Sequence, residues 1–172
     1  MKLIGCAALL IVVLSASEFG SGVACAGTEL TDFNGSWHGG GTDRSTPLEA
    51  TQRTSCSAGI NADLRRMSAN IVCKSVAGLT KVIRLNITLA GNTFSGDLTQ
   101  KATIRGENPS ELNGSVSGQK TDTTANFKVS FRGLTPSVEV TLKLNNPSSF
   151  SMRAITLGSQ LMDVTFNRSG KE

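Results

Sequence analysis

The chain has 172 residues, 38% of them hydrophobic and 5% aromatic, with 17 Lys and Arg against 13 Asp and Glu for a net charge of +4. Apart from Lys2, the positive residues run from Arg44 to Lys171 with Arg65-Arg66 as the sole adjacent pair. That dispersion suits a solvated surface and argues against nucleic-acid binding, which needs clustered cations and aromatic stacking platforms.

At the start, Lys2 precedes an apolar run from Leu3 to Leu14, and small residues follow, ending in Ala24-Cys25-Ala26. This order is that of a secretory signal peptide over residues 1–26 with cleavage expected after Ala26. Residues 27–172 would remain as a single domain of a size that buries a real core. The run is too short to span a bilayer as a retained helix, so no transmembrane anchor is expected. Lipoprotein anchoring through Cys25 is the alternative, and Gly22 stands against it where a lipobox places an aliphatic residue. A periplasmic or secreted bacterial location follows as the expectation. The leader takes Cys6 and Cys25 with it, leaving Cys56 and Cys73 in an oxidising compartment, too few for a usual zinc site and better suited to a disulfide.

The elements read as strands in chain order: 33–41, 48–60, 67–74, 79–90, 93–103, 110–119, 124–132, 137–145, 150–157 and 161–168. Ile83, Leu85, Ile87 and Leu89 alternate with Arg84, Asn86 and Thr88. Ala125, Phe127, Val129 and Phe131 alternate with Asn126, Lys128 and Ser130, and Val138, Val140, Leu142 and Leu144 with Glu139, Thr141 and Lys143. A period of two is that of half-buried antiparallel strands. Gly91-Asn92, Lys120-Thr121-Asp122, Asn145-Asn146-Pro147 and Gly158-Ser159 supply turn chemistry between them. If the second hairpin folds near Asp63 to Arg66, Cys56 faces Cys73, Ala58 faces Ile71 and Ile60 faces Ala69. A bridge there pins the register of two neighbouring strands. Short connections favour a meander, and closing it removes exposed edges, so the expected fold is an all-β, antiparallel up-and-down barrel of about 8–10 strands, with a β-sandwich as the alternative.

The two ends of the strand series carry a family resemblance. Phe33-Asn34-Gly35-Ser36-Trp37 contains a Gly-x-Trp that resembles the first-strand signature of the calycin group, the lipocalins and avidins. The closing Phe166-Asn167-Arg168 places an Arg where those families pack one across the Trp. The resemblance implies a structural role for Trp37 and Arg168 at the barrel floor, with the cation over the indole face. The wider pattern also resembles small secreted proteins of alphaproteobacteria with no established activity. One Trp and no Tyr depart from the aromatic cage with which avidins hold biotin, and the later lipocalin motifs are not apparent. What the resemblance implies is architecture.

Signatures of catalysis are sparse. His38 is the single His, and the sequence has no Gly-x-Ser-x-Gly, no His-Glu-x-x-His and no phosphate-binding loop; no catalytic residue, metal or cofactor is assigned. Asp97, Glu107, Glu111, Glu139 and Asp163 are carboxylates whose spacing selects no acid pair. The expectation is a non-catalytic protein whose barrel takes a small apolar or amphipathic ligand, with Phe94, Leu98, Phe127, Phe131 and Met152 pointing inward to line a cavity or, alternatively, to fill the core. The other reading is an envelope structural or interaction protein that contacts a protein or polysaccharide through outward residues such as Arg84, Lys128, Arg132 and Lys143 and the loop at 105–109.

Overall fold

A computed structural model describes residues 29–105, 107–121 and 124–170; the leader assigned to residues 1–26, with Cys6 and Cys25, lies outside the described residues. A short 3-10 helix, Leu30–Phe33, leads into ten strands: β1 (Gly35–Asp43), β2 (Gln52–Ala62), β3 (Arg66–Ser75), β4 (Thr80–Ala90), β5 (Thr93–Thr103), β6 (Ser110–Lys120), β7 (Thr124–Phe131), β8 (Val138–Asn146), β9 (Ser149–Thr156) and β10 (Ser159–Arg168). Each strand pairs antiparallel with the next, and β10 pairs back onto β1, closing the barrel. The all-β meander expected from alternation is therefore the fold. Most boundaries agree within two residues. The larger differences lie early: Phe33 belongs to the 3-10 helix, and β2 begins at Gln52 because residues 48–51 belong to a loop.

Alternation sets the two faces. Along β7, Ala125, Phe127 and Val129 are buried while Asn126, Lys128 and Ser130 are exposed. Along β4, Leu85 and Ile87 are buried and Arg84, Asn86 and Thr88 exposed. An apolar inside and a polar outside reverse the arrangement of a barrel that spans a bilayer. Cys56 and Cys73 are directly opposed in the β2–β3 ladder, with Cα atoms 4.1 Å apart, and form the disulfide; Ala58 faces Ile71 and Ile60 faces Ala69. Gly96 on β5 stands where strands approach closely: a Cβ there would lie 2.0 Å from the Asn86 carbonyl oxygen of β4. Glycine lets the sheet bend sharply at that point.

The meander sorts its connections between two ends. The β2–β3, β4–β5, β6–β7 and β8–β9 connections share one end with the 3-10 helix, and the β1–β2, β3–β4, β5–β6, β7–β8 and β9–β10 connections share the other. The first end is filled. Trp37, Phe33, Phe150 and Phe166 are essentially inaccessible there. Phe150 stacks on Phe166 with ring centroids 4.7 Å apart and meets Trp37 edge-on at 4.9 Å. Such aromatic pairs contribute about 0.5–1.5 kcal/mol each beyond their buried area.

Candidate functional site

The floor is sealed by hydrogen bonds to backbone carbonyls. The Trp37 indole N–H donates to the Phe33 carbonyl at 2.8 Å. The Arg168 guanidinium lies 4.3 Å from the Trp37 ring centroid and donates to the carbonyls of Asp32, Asn34 and Pro147. Gly35 adopts φ +123°, and a Cβ on it would sit 3.0 Å from the Arg168 guanidinium, so the residue two before Trp37 must be small and conformationally free. The Asn34 side-chain amide both donates to the Ala62 carbonyl and accepts from the Ala62 N–H, fastening the helix to the end of β2.

Above this floor the barrel is hollow. A cavity of about 430 Å³ opens at the other end, with Phe150 at its base and aliphatic walls from Ile71, Ile83, Val138, Val140 and Leu142. Eight-stranded barrels have interiors that side chains just fill, and diameter grows with strand number, so ten strands leave more cross-section than these residues occupy. Of the residues that the sequence suggested as lining, Leu98, Phe127, Phe131 and Met152 face the cavity. Phe94 does not: it is fully buried in the layer beneath, its ring 4.8 Å from that of Phe127.

The rim holds a polar pair that the sequence reading missed. Lys81 of β4 and Asp43 at the end of β1 form an ion pair at 2.6 Å, their side chains 6% and 2% exposed, and both line the cavity. The ammonium also donates to the Arg44 carbonyl at 3.0 Å. An available signal was inward parity: Lys81 precedes Ile83, Leu85 and Ile87 on one face of β4, and Asp43 follows Trp37, Gly39 and Gly41 on one face of β1. Charges at such positions stay ionised in an interior only with partners.

The remaining candidates lie elsewhere. His38 is exposed, its Nδ1 in hydrogen-bond contact with the Ser169 hydroxyl, and does not line the cavity. Asp97 accepts from Asn86, Glu111 pairs with Lys101 and Asp163 with Arg153, each along the outer wall. The Lys101 hydrogen bond holds the Glu111 carboxyl below its ordinary pKa. Among the described residues no group of three or more His, Cys, Asp or Glu is placed to hold a metal ion, and no helix is long and apolar enough to cross a membrane. Arg84, Lys128, Arg132 and Lys143 are exposed, and no strand edge is left unpaired among the described residues. Compared with protein-family models and with curated proteins, the chain matches none.

Proposed function

We infer that the protein is a non-catalytic carrier that holds a small apolar or amphipathic ligand inside a calycin-like barrel exported to the periplasm or released from the cell. The observation that carries this reading is the open apolar cavity of about 430 Å³, within the range of small-molecule sites. Leaving such a volume unfilled forgoes packing on the order of 10 kcal/mol at the rate observed for core cavities, comparable with the whole stability of a domain. Ala69 and Ala154 line the hollow, and larger side chains there would recover part of that energy. A sequence that keeps them small gives up stability for space.

The Lys81–Asp43 pair supports an amphipathic ligand. An ammonium has three N–H groups, of which Asp43 and Arg44 take two. The third N–H and the carboxylate offer a donor and an acceptor to a hydroxyl, amide or carboxylic acid head at the rim. The Trp37–Arg168 contact supports kinship with calycins, and the Cys56–Cys73 bridge supports an oxidising compartment. An interaction protein working through its outer wall would be favoured by an unpaired edge, which the closed ladder does not offer.

The test has two arms. Solvent extraction of natively purified protein followed by mass spectrometry should release a reproducible apolar molecule. The fluorophore phenylnaphthylamine should bind the emptied protein saturably, and Ala154→Phe should weaken that binding at least tenfold while the circular dichroism spectrum is kept. Protein that purifies empty and binds the fluorophore no better than Ala154→Phe does would sink the reading.

A further inference from the structure

The mouth of the barrel carries a feature that ligand binding inside does not require. Six large hydrophobic residues are exposed among the described residues, and five of them stand one on each mouth-end connection: Leu48, Val76, Ile104, Leu134 and Leu157. Leu64, at the closed end, is the sixth. The exposure is nearly complete for Leu48 at 98% and Val76 at 82%, so these side chains add nothing to the core. Single exposed aliphatics are ordinary on protein surfaces. One per loop around a single opening, and one among all the opposite loops, is a pattern.

Leu157 makes the point independently. It occupies, with Gly158, a two-residue turn in which both have positive φ, 49° and 71°. Asn and Gly suit such positions, whereas an L-residue with a longer side chain enters them at a cost. The Leu157 side chain is nevertheless 75% exposed, so neither the turn nor the core accounts for leucine. Backbone strain of this kind collects at functional sites.

Charge selects the partner. With the Lys81–Asp43 and Lys101–Glu111 pairs cancelling, Arg44, Arg53, Lys74, Arg105 and Arg132 lie in or beside the same connections and outnumber Glu49, Glu107 and Glu139. A second copy docked mouth to mouth would press these cations against their own images. Separated aliphatic tips on different loops, interspersed with cations, suit a fluid, negatively charged surface that each tip enters alone. We propose that the mouth end docks on anionic phospholipid bilayers, the five aliphatic side chains inserting among the acyl chains while the arginines and Lys74 meet lipid phosphates. Leu134 and Leu157 belong to both the crown and the cavity lining, so docking would bring the opening against the membrane and let an apolar molecule pass without crossing water. The docking surface stands without the carrier reading, since it rests on the loops alone.

Flotation with vesicles tests this. The chain, purified as the cell makes it, should float with phosphatidylglycerol vesicles and at least tenfold less with phosphatidylcholine vesicles, and raised salt should weaken the binding. A variant with Leu48→Ser, Val76→Ser, Leu134→Ser and Leu157→Asn should lose at least tenfold in partitioning. The substitutions lie outside residues 1–26, whose processing is the same in both proteins, so the difference isolates the crown. Should the combined variant fold poorly, Leu157→Asn alone, which relieves the turn, should raise the melting temperature and still lower partitioning. Equal partitioning of wild type and variants overturns the proposal. So does a concentration-dependent dimer, seen by sedimentation, that the same substitutions disperse while vesicles bind neither form.

Discussion

Replacing Lys81 with methionine keeps an unbranched side chain, one atom shorter, and strands the Asp43 carboxylate. The two side chains are 6% and 2% exposed, and 2.6 Å separates ammonium nitrogen from carboxylate oxygen, so this pair is not the screened surface kind, whose loss costs about 0–1 kcal/mol. Breaking a buried pair by removing one partner costs about 3–5 kcal/mol, because the survivor stays desolvated without compensation. For a domain of this size each kcal/mol lowers the melting temperature by about 2–4 °C, so K81M should melt roughly 6–20 °C below wild type. Replacing both members, Asp43→Leu with Lys81→Met, removes both desolvation penalties and should return stability to within about 1 kcal/mol of wild type. Urea unfolding of wild type, both single variants and the double variant closes the cycle and isolates the coupling. A K81M loss below about 1 kcal/mol, or a double variant as unstable as the sum of the singles, would mean that cavity water already solvates the pair. The rim would then be an aqueous pool and no polar reader of a ligand.

Three further outcomes follow from the same geometry. Replacing Cys56 and Cys73 with alanine opens a link spanning a sequence separation of 17 and should cost about 3 kcal/mol by the loop-entropy relation, read from the urea midpoint; a smaller change would show that the β2–β3 ladder holds its register without the bridge. Arg168→Ala removes donors from three carbonyls and the cation from the Trp37 face, for a loss of about 2–4 kcal/mol, with Arg168→Lys falling between; an alanine variant as stable as wild type would make the guanidinium a bystander. The Asp63 carboxyl accepts the backbone N–H groups of Arg65 and then Arg66, which lower its pKa. Its contribution is therefore complete above the unfolded-state value near 3.8 and is lost as pH falls through the lower folded value. A carboxyl NMR titration of Asp63 with a midpoint at or above the ordinary aspartate value would refute that account.

What the sequence disclosed and what it hid divide by dimension. Alternation at Ile83 to Leu89 and Ala125 to Phe131 gave strands because the side-chain period of a pleat is a property of neighbours in the chain. The Cys56–Cys73 register was legible because a tight turn at Asp63 fixes opposed pairs by simple counting. Depth along the barrel axis was not. Phe94 and Leu98 share a face of β5, yet one is packed beneath the other's cavity, since strand tilt and stagger decide which inward residue lies at which level. The hollow itself depends on the summed volumes of side chains from ten strands. Lys81 and Asp43 each announced an inward charge by parity, but their meeting spans β1 and β4, which share no ladder. Leu48 and Leu157 fall at the ends of the strands expected over 48–60 and 150–157, and the structure places both in connections instead. Their common end follows from the strand count, because each added strand reverses which end a loop occupies.

The two ends divide stability from access. At the floor, aromatic stacking and the carbonyl contacts of Arg168 satisfy polar groups and exclude water, and β1, β2, β10 and the 3-10 helix are fastened to one another there. At the mouth, packing density falls, a buried charge pair stands in for core, and aliphatic side chains face solvent. Local opening begins where buried apolar contacts are few. Amide exchange should therefore grade along single strands, slower for Trp37 than for Thr42 on β1, and slower for Phe166 than for Met162 on β10. A barrel built this way can loosen its rim without disturbing the closure that holds the sheet together. Uniform protection along β1 and β10 would contradict that separation.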